Sequence, residues 1–369
     1  MGSLCRRASI YRSIMETVVN RVLSCACKIL PATGRQRYHF SVKIDDHWLE
    51  TDFVNVLYQR MTAPSVVDIS ASLKTLGWHA DFRQLDHGAG QIDVRALQGG
   101  TVKIMQIAFN NRVHQLAVSP QGYTTFGIPT GPQAPGRIGR RTLQSETLTC
   151  FHPASGLDVV SQAGFSAYTI AIETSRLIEA AALFEPYSQG DLDAMLGVQF
   201  LPHANHLAQL RETILSTFSL ISDDTISTDV KEAVWEEIQA DLPLLILKSW
   251  RTGDQSSYVH SSSRSRALKK ALEYIHCTEG QVILIAQLCK EACCSLSTLE
   301  RAFHEHFGVG PKQYLTAARM CSARSTLLDS ADSRPITDIA AELGFWHMSK
   351  FAANYRKLFG ELPSQTRHC

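Results

Sequence analysis

The sequence lacks several features that would each have pointed to a particular class of protein. No run of about eighteen apolar residues occurs in its 369 residues, so no segment is predicted to cross a membrane. The formal net charge is only +1, which by itself gives no sign of a nucleic-acid partner. With 44% hydrophobic and 19% charged residues, the chain is long enough and apolar enough to form two folded domains.

Cysteine spacings typical of structural metal sites are missing as well. The ten cysteines lack the paired spacing of a zinc module, and we interpret them as reduced thiols of a cytoplasmic protein. Cys289, Cys293 and Cys294 lie close together in sequence. A redox or metal role for this group is the alternative to simple burial.

Histidines that could serve a metal-dependent barrel enzyme are scattered. They are His79, His87, His114 and His152, and none forms a His-x-His pair. Such isolated histidines are expected at the surface or in structural positions. The spacing His203-x-x-His206 could also be a metal pair, but the neighbouring proline favours a helix start. The sequence therefore predicts no catalytic residue and no metal ligand.

Charge is distributed unevenly along the chain. Residues 263–369 contain 14 Lys and Arg against 10 Asp and Glu, whereas residues 61–262 contain 13 against 20. Residues 1–60 are basic, with 9 against 5. A basic C-terminal region suits contacts with DNA phosphates, which the small overall charge conceals.

A helix-turn-helix is predicted near the C-terminus. Within Gly344–Gln365, apolar residues recur at helical spacing from Met348 onward, so one face of a helix of about three turns can pack inward. A second helix, Ile336–Glu342, precedes it across a short turn. Gly344 lies where that tight turn requires a positive φ.

The same plan occurs once more upstream. Leu284–Glu291 and Ser295–Phe307 have inward apolar positions and a short turn between them. Between the two units, Gly310-Pro311 begins a helix predicted to reach about Leu328. That helix would span roughly 27 Å, close to the ~34 Å between successive major grooves on one face of DNA. One chain could therefore contact two adjacent major grooves, although two ordinary helical hairpins are the alternative.

Ten residues are predicted to face double-stranded DNA, because they lie on the outward side of the second helix of each unit or at its start. They are Ser297, Glu300, Arg301 and His304 in the first unit, and His347, Ser349, Lys350, Ala353, Asn354 and Lys357 in the second. Asparagine can bond adenine in bidentate fashion, arginine suits guanine or phosphate, and glutamate can only accept hydrogen bonds, as from cytosine N4.

Residues 264–369 resemble the DNA-binding domain of the AraC/XylS family of bacterial transcription regulators. The matching residues form a spaced set: Ser295, Leu299, Arg301, Phe303, Gly310, Pro311, Tyr314, Leu315, Asp338, Ile339, Ala340, Gly344, Phe345, Ser349, Phe351, Tyr355, Phe359, Gly360 and Pro363. The sequence departs from the family pattern at Cys293, where glycine is usual, and at Ser297, where a large or basic residue is common. The resemblance implies an activator that works with RNA polymerase as a homodimer, on the nucleoid in the bacterial cytoplasm.

The N-terminal half is predicted to be rich in β-structure. Residues 1–60 show no sustained period and are expected to be a flexible or extra arm, or an extension before a natural start at Met61. Short alternating segments then follow, separated by turn signals. They are Gln91–Leu97, Val102–Phe109, Val113–Val118, Thr124–Ile128, Thr147–Phe151 and Ser166–Ile172. Many short strands of this kind predict a β-barrel or a sandwich.

Two amphipathic helices and a polar linker are predicted to close this domain. The helices are His203–Ile221 and Val230–Leu242, and Pro243 should end or kink the second. The linker Gly253–Ser265 is too polar to bury a core. The predicted divisions are therefore 1–60, 61–252, 253–263 and 264–369, in an α+β chain.

The family resemblance adds expectations about the signal that the N-terminal half receives. It implies a cupin-like β-barrel sensor at 61–252 that binds a small-molecule effector, with a helical segment that pairs two subunits. The layout, including Phe126–Pro129, is similar to the ethanolamine-operon regulator branch, which senses a small amine together with a corrinoid. No residue matches a ligand-contacting motif, so the effector stays open.

Two other classes of function are compatible with the sequence. One is a cupin-type metalloenzyme fused to a DNA-binding domain. Iron or zinc bound to the purified protein at stoichiometry would favour this alternative. The other is a DNA-architectural protein without an effector. A DNA affinity that no small molecule changes would favour this alternative. The favoured interpretation is an effector-controlled transcription regulator that is not an enzyme.

Overall fold

The structure, a computed structural model, describes residues 43–44, 47–48, 56–131, 136–138, 141–143, 145–151, 156–183, 199–201, 204–252, 254–255, 263–278 and 282–367. These residues form a β-rich N-terminal domain, which we take as residues 56–255, and a helical C-terminal domain, residues 263–367. Of the helices in this described part, none is both long enough and apolar enough to cross a membrane.

Strands provide most of the N-terminal domain, and two short strands, β1 and β2, precede it in the chain. Their bounds are β1 Lys43–Ile44, β2 His47–Trp48, β3 Leu57–Ala63, β4 His79–Gln84, β5 Ile92–Gly99, β6 Val102–Phe109, β7 Val113–Val118, β8 Tyr123–Pro129, β9 Gly136–Ile138, β10 Arg141–Leu143, β11 Leu148–Cys150, β12 Leu157–Ser161, β13 Ser166–Glu173, β14 Gln199–Leu201 and β15 Asp254–Gln255. The predicted bounds of β6 and β7 are confirmed, because Gly99-Gly100 and Asn110-Asn111 turn the chain at their ends.

All strand pairs in the described chain are antiparallel. Strands β1 and β2 pair with each other, while the remaining strands form one sheet of five and one of eight. The five-stranded sheet has the order β10-β9-β12-β7-β4, and the eight-stranded sheet has the order β15-β14-β11-β8-β13-β6-β5-β3. The cupin-like barrel was expected to close, but no hydrogen-bonded strand pair joins the two sheets within the described residues. Closure would require such pairing.

The two sheets pack face to face over an apolar core. Alternate residues of each strand point to the same side, so every second side chain enters this core. Contributors from the five-stranded sheet include Phe82, Val113 and Val159, and those from the larger sheet include Val94, Ile107 and Ala167. The intervening positions of the five-stranded sheet point the other way, toward the C-terminal domain.

Helices cover the opposite face of the eight-stranded sheet. They are α2 Thr174–Leu183, α3 Ala204–Ser222 and α4 Thr228–Thr252, while the short α1, Ser70–Thr75, lies beside β4. Trp235 of α4 is fully buried in this layer and donates its indole N–H to the Gly99 carbonyl at 3.2 Å. Helix α4 continues through Pro243 instead of ending there. His203 lies outside the described residues, so its predicted pairing with His206 is not seen.

Strand β3 crosses the division predicted at residue 61. Its first four residues, Leu57–Arg60, pair with Arg95–Gln98 of β5 and are therefore part of the eight-stranded sheet. Most of the predicted N-terminal arm lies outside the described residues.

The C-terminal domain contains seven helices within the described residues. They are α5 Ser263–Cys277, α6 Ile285–Glu291, α7 Leu296–Phe307, α8 Pro311–Leu328, α9 Ile336–Glu342, α10 Met348–Phe359 and α11 Pro363–Arg367. Both helix-turn-helix units predicted from the sequence are present, as α6 with α7 and as α9 with α10. The predicted bounds of α8 and α9 are confirmed, and α6 and α7 each begin one residue later than predicted.

Candidate nucleic-acid interface

The second helix of the first unit, α7, has one buried and one exposed side. Leu299, Phe303 and Phe307 recur at helical spacing and are almost fully buried. The four predicted DNA contacts on the other side are all exposed: Ser297, Glu300, Arg301 and His304. Arg301 also donates from Nε to the carbonyl oxygen of Ser297 at 3.1 Å, which holds its guanidinium along the helix surface.

The second helix of the second unit, α10, repeats this arrangement. Phe351, Tyr355 and Phe359 are buried. Five of the six predicted contacts here are exposed, namely His347, Ser349, Lys350, Ala353 and Lys357, and the sixth, Asn354, is half-buried. His347 occupies the N-cap position, but its side chain makes no capping hydrogen bond.

Trp346 extends this exposed surface beyond the ten predicted residues. It immediately precedes His347, and 77% of it is accessible to solvent. An indole this exposed offers a flat apolar face and one N–H donor at the start of α10. It is not among the contacts predicted from the sequence, and its exposed area is visible only in the structure.

Both helix-turn-helix turns adopt a left-handed backbone. Gly344 has φ +78°, as its sequence position predicted, and a Cβ there would lie 2.4 Å from Cγ2 of Val282. In the first unit the same conformation falls on Cys293, with φ +50°. Cys293 therefore adopts at this turn the left-handed backbone that Gly344 adopts in the second unit.

Helix α8 joins the two units into one body. Tyr314 near its start is fully buried, and its ring centroid lies 4.4 Å from that of Phe307 in the first unit. Further along, Met320 and Leu327 are buried together with Phe351 and Phe359 of the second unit. The relative orientation of α7 and α10 is thus set by packing on a common helix.

The N-terminal domain caps the carboxyl ends of both recognition helices, α7 and α10. The last carbonyls of an α-helix have no partner inside the helix and need donors from elsewhere. Arg112 supplies one from Nη1 to the Phe307 carbonyl at 3.2 Å. Gln84 donates from Nε2 to the Leu358 carbonyl at 2.7 Å, and the backbone N–H of Gly88 donates to the Lys357 carbonyl at 2.9 Å.

Arg324 of α8 forms a second link between the domains. Its guanidinium donates from Nε and Nη2 to the two carboxylate oxygens of Asp68, at 2.5 and 2.8 Å. Nη1 donates to Glu361 at 2.7 Å, and the group lies over the ring of Phe359. Arg324 is only 2% exposed; although burial opposes its charge, the hydrogen bonds to Asp68 and Glu361 raise its pKa further above the ordinary value.

A buried polar cluster lies between the five-stranded sheet and α7. Arg83, His114 and Asp158 occupy outward positions on the neighbouring strands β4, β7 and β12, which follows from the alternation of side chains along each strand. Tyr314 meets Arg83 Nη1 at 2.7 Å and His114 Nδ1 at 2.9 Å. The carboxylate oxygen Oδ1 of Asp158 lies 3.0 Å from His114 Nε2 and 3.4 Å from His306 Nε2.

Burial and charge determine the ionisation of this cluster. Burial lowers the pKa of His114, and the nearby Arg83 and His306 act in the same direction against Asp158. Burial alone would raise the pKa of Asp158, but the two histidines hold it well below its usual range. Burial raises the pKa of the Tyr314 phenol above its ordinary value. The cluster at neutral pH therefore contains a carboxylate, a neutral His114 and a neutral phenol.

A cavity of about 710 Å³ lies between the two domains. The N-terminal wall includes His79, Phe82 and Leu116, and the C-terminal wall includes Leu315 and Arg319. A molecule in this cavity would touch both domains at once.

The structure confirms the helical frame of the predicted interface and adds groups that the sequence had not indicated. His306, Arg324 and Asp68 belong to contacts between segments far apart in sequence, and no local pattern marks them. Of the histidines expected to be at the surface or structural, His79 and His87 are exposed and His114 is buried and hydrogen-bonded. His152 lies outside the described residues.

Comparison with known proteins supports the assignment of the C-terminal domain. Residues 288–368 match a family described as a helix-turn-helix domain. The XylDLEGF operon transcriptional activator of Pseudomonas putida is 31% identical over 175 residues, which are 47% of this chain and 53% of the relative. The C-terminal domain is an AraC/XylS-type helix-turn-helix domain.

Two further proteins that this chain is similar to are also named as transcriptional activators. The transcriptional activator RhaS of Pectobacterium carotovorum is 26% identical over 194 residues, which are 52% of this chain and 64% of the relative. The AraC-like transcriptional activator CuxR, a solved structure, is 13% identical with a TM-score of 0.38, over 72% of this chain and 95% of that one. This chain spans about half the length of the first curated relatives it matches, and those relatives are named as transcriptional activators.

Proposed function

We propose that this protein is a transcriptional activator that binds double-stranded DNA through both helix-turn-helix units and responds to a small molecule. The observation that carries the proposal is that nine of the ten predicted contacts are exposed and the tenth, Asn354, is half-buried, while the other face of each recognition helix is buried. The N-terminal domain contacts the carboxyl ends of these helices, which leaves their outward faces accessible.

Each unit has the chemistry to contact one major groove. Asn354 can bond adenine through the oxygen and the nitrogen of its side-chain amide, and Lys350 and Ser349 lie beside it on the same side of α10. In the first unit Arg301 suits guanine or phosphate, and Glu300 can accept from cytosine N4. Because α8 fixes the two helices relative to each other, both grooves would be contacted on one face of the duplex.

Control by an effector is the second part of the proposal. The effector would bind the N-terminal domain, and a ligand in the cavity between the domains would also touch α8. A ligand that prefers one arrangement of the domains would change DNA affinity by shifting their populations, typically by roughly 5–150-fold. A small amine together with a corrinoid is the first combination to test, given the resemblance to ethanolamine-operon regulators.

Assembly and location complete the proposal. Helices α3 and α4 lie on the outside of the eight-stranded sheet, and Leu215 of α3 is 53% exposed there, which suits pairing of two chains. The dimer would act on RNA polymerase at the nucleoid in the bacterial cytoplasm. The proposal keeps a cupin-like origin for the fold of the sensor domain, although the described strands do not form a closed barrel.

Genome-wide mapping of DNA bound by the full-length protein tests the function directly. We expect a shared sequence motif with two parts about one helical turn apart, and transcription of the adjacent operon that depends on the protein. Binding to the recovered site should weaken with Lys350→Ala, and Asn354→Ala should cost about 1–3 kcal/mol at one base pair.

Lys269→Ala is the matched control, since Lys269 is an exposed lysine of α5 outside the predicted contacts. Equal loss of binding in the Lys350 and Lys269 variants would contradict the assigned interface. Uniform weakening on all DNA sequences with Asn354→Ala would contradict base reading by that residue. Bound DNA without any shared motif would favour an architectural role instead.

A further inference from the structure

Three side chains with metal-binding atoms converge where the N-terminal domain meets the first recognition helix. His114 lies on β7, Asp158 on β12 and His306 in the last turn of α7. One ligand atom from each lies within 4.8 Å of the other two. Both Nε2 atoms lie close to the same carboxylate oxygen, at 3.0 and 3.4 Å.

We propose that His114, Asp158 and His306 bind one divalent transition-metal ion, with Zn²⁺ the best fit, and that this ion fastens the first recognition helix to the N-terminal domain. This site is separate from the DNA-binding surface and goes beyond the proposed function. Two imidazoles and one carboxylate are a ligand set that zinc uses in proteins, with the fourth position open to water.

The spacing of the ligand atoms suits a small ion. In a tetrahedral zinc site with bonds of roughly 2.0–2.1 Å, neighbouring ligand atoms lie about 3.3 Å apart. The two measured separations, 3.0 and 3.4 Å, lie on either side of that value. Small rotations of the side chains are therefore sufficient to place an ion between them.

The surroundings orient the ligands as metal sites require. The second ring nitrogen of His114 lies 2.9 Å from the Tyr314 hydroxyl, which also accepts a hydrogen bond from Arg83. When a metal is bound, Nδ1–H would donate to that hydroxyl, and Nε2 would carry the lone pair that the metal needs. Phe307 lies against both imidazoles, with ring centroids 4.9 Å from His114 and 4.5 Å from His306, and provides an apolar wall.

Solvent can reach the cluster from one side. The side chain of Asp158 is 37% exposed, whereas His114 and His306 are 0% and 6% exposed. The exposed carboxylate gives an ion an access route and leaves room for a water ligand. Without metal, hydrogen bonds from the Nε2–H groups of the two imidazoles to Asp158 hold the same atoms close together, and His114 Nδ1 accepts from the Tyr314 hydroxyl. Metal binding therefore requires a change of tautomer at His114 but little movement of the side chains.

An ion here would couple metal availability to the arrangement of the domains. Two ligands belong to the N-terminal domain and the third to α7, so the complete site exists only when the domains are docked. A free metal concentration of 100 times the Kd would favour the docked arrangement about 100-fold over one that cannot bind. The ion would thereby act on the recognition helix from the end opposite its N-cap.

Cobalt and zinc titrations of the metal-free full-length protein test the site. Co²⁺ serves as the probe because its visible absorption reports coordination, and Zn²⁺ should displace it. We expect one ion per chain in the wild-type protein. Affinity should fall at least about tenfold in His306→Gln and in Asp158→Asn. Glutamine at 306 can still donate a hydrogen bond to Asp158, but its amide nitrogen is not a metal ligand.

His304→Asn is the matched control, because His304 is an exposed histidine on the same helix. It should bind metal like the wild type, and Zn²⁺ should raise the unfolding midpoint of both but not of His306→Gln. Absence of binding, or equal binding by wild type and His306→Gln, would show that the cluster is only a hydrogen-bonded contact. Intense near-ultraviolet thiolate absorption would place the ion at cysteines and equally overturn the proposal. No DNA is needed, so this result is independent of the proposed function.

Discussion

Cys293 is the one non-glycine residue with positive φ in the described part of the chain. A left-handed backbone costs an L-residue with a Cβ about 1–2 kcal/mol. At the equivalent turn of the second unit, Gly344 avoids that cost. The first helix-turn-helix therefore carries a local strain that the second does not.

Replacing this residue with glycine should stabilise the protein. Cys293→Gly removes the left-handed strain, while the added freedom of the unfolded chain offsets about 0.4–1 kcal/mol of the gain. We expect a net increase of about 0.5 kcal/mol in the free energy of unfolding, measured by urea denaturation. Cys293→Ser keeps the Cβ and should show no gain. A loss of stability in the glycine variant would mean that the thiol contacts outweigh the strain.

At the scale of single elements, the carboxyl ends of the recognition helices depend on donors from another domain. Gln84 is fully buried, and its amide nitrogen also donates to the carbonyls of Asp86 and Gly88. Removing this donor leaves the Leu358 carbonyl of α10 buried without its hydrogen bond. A buried polar group left in that state costs about 1–3 kcal/mol.

Gln84→Leu should therefore lower the free energy of unfolding by about 2 kcal/mol and loosen the end of α10. Hydrogen exchange of the amides near residues 354–359 would report the loosening. Gln115→Leu is the control, because Gln115 is also buried but its Nε2 meets no hydrogen-bond partner among the described residues. Similar losses in the two variants would mean that shape, and not the donor to Leu358, matters at Gln84.

Elements with a clear repeat could be predicted from sequence, while elements defined by distant contacts could not. Helices α8 and α9 and strands β6 and β7 have their predicted bounds, because apolar spacing and turn residues mark both ends. Strand β4 was missed, since its last residues, Phe82, Arg83 and Gln84, are buried on both sides and do not alternate in polarity.

The candidate interface divides in the same way. Exposure of Arg301 and Lys350 follows from helical periodicity, so the outward faces could be predicted. His306 has the same local pattern as a surface residue, yet the five-stranded sheet buries it. The sequence predicted only a polar linker between the domains, whereas described residues of the two domains are joined by buried hydrogen bonds and ion pairs. Contacts across more than 200 residues of sequence leave no periodic signal.

For the whole molecule, the ion pair between Asp68 and Arg324 should contribute strongly to domain docking. Its two hydrogen bonds are charge-assisted and largely buried, with side-chain exposures of 13% and 3%. Asp68→Asn should cost about 2 kcal/mol, since a hydrogen bond to a charged group contributes roughly 1.5–3 kcal/mol. Calorimetry should show the unfolding of the two domains separating into two transitions.

Asp93→Asn provides the comparison, because Asp93 pairs with the exposed Arg60 inside the N-terminal domain. An exposed pair contributes little, so this change should cost less than about 1 kcal/mol and leave unfolding in one transition. A larger loss of unfolding free energy in Asp93→Asn than in Asp68→Asn would show that the Asp68–Arg324 pair does not contribute strongly to domain docking.

Docking should also weaken in mild acid. The pKa of His114 is lowered below its ordinary value of 6.5 by burial, so the unfolded or undocked histidine binds a proton before the buried one does. The contribution of neutral His114 to stability is therefore fully present above about pH 6.5 and is lost as the pH falls below that value. Arg83 and His306, which face the imidazole, reinforce this direction, and Asp158 opposes it.

Urea denaturation between about pH 7.5 and about pH 5.5, in the presence of a chelator, would measure this effect. We expect the wild-type protein to lose stability across the range and His114→Gln to lose much less. His79→Asn removes an exposed histidine from the adjacent strand β4 and should keep the wild-type slope. A wild-type protein that became more stable in acid would contradict the lowered pKa of His114.

The capping of α7 and α10 by Arg112, Gln84 and Gly88 has a consequence for folding during synthesis. The ribosome delivers the N-terminal domain first, and domains generally fold as they emerge. The groups that complete both recognition helices are therefore already in place when residues 296–359 leave the ribosome. The helix-turn-helix domain therefore folds against an N-terminal domain that has already formed. Destabilising substitutions in strands β4 and β7 should reduce the yield of correctly folded protein even when the predicted DNA contacts are intact.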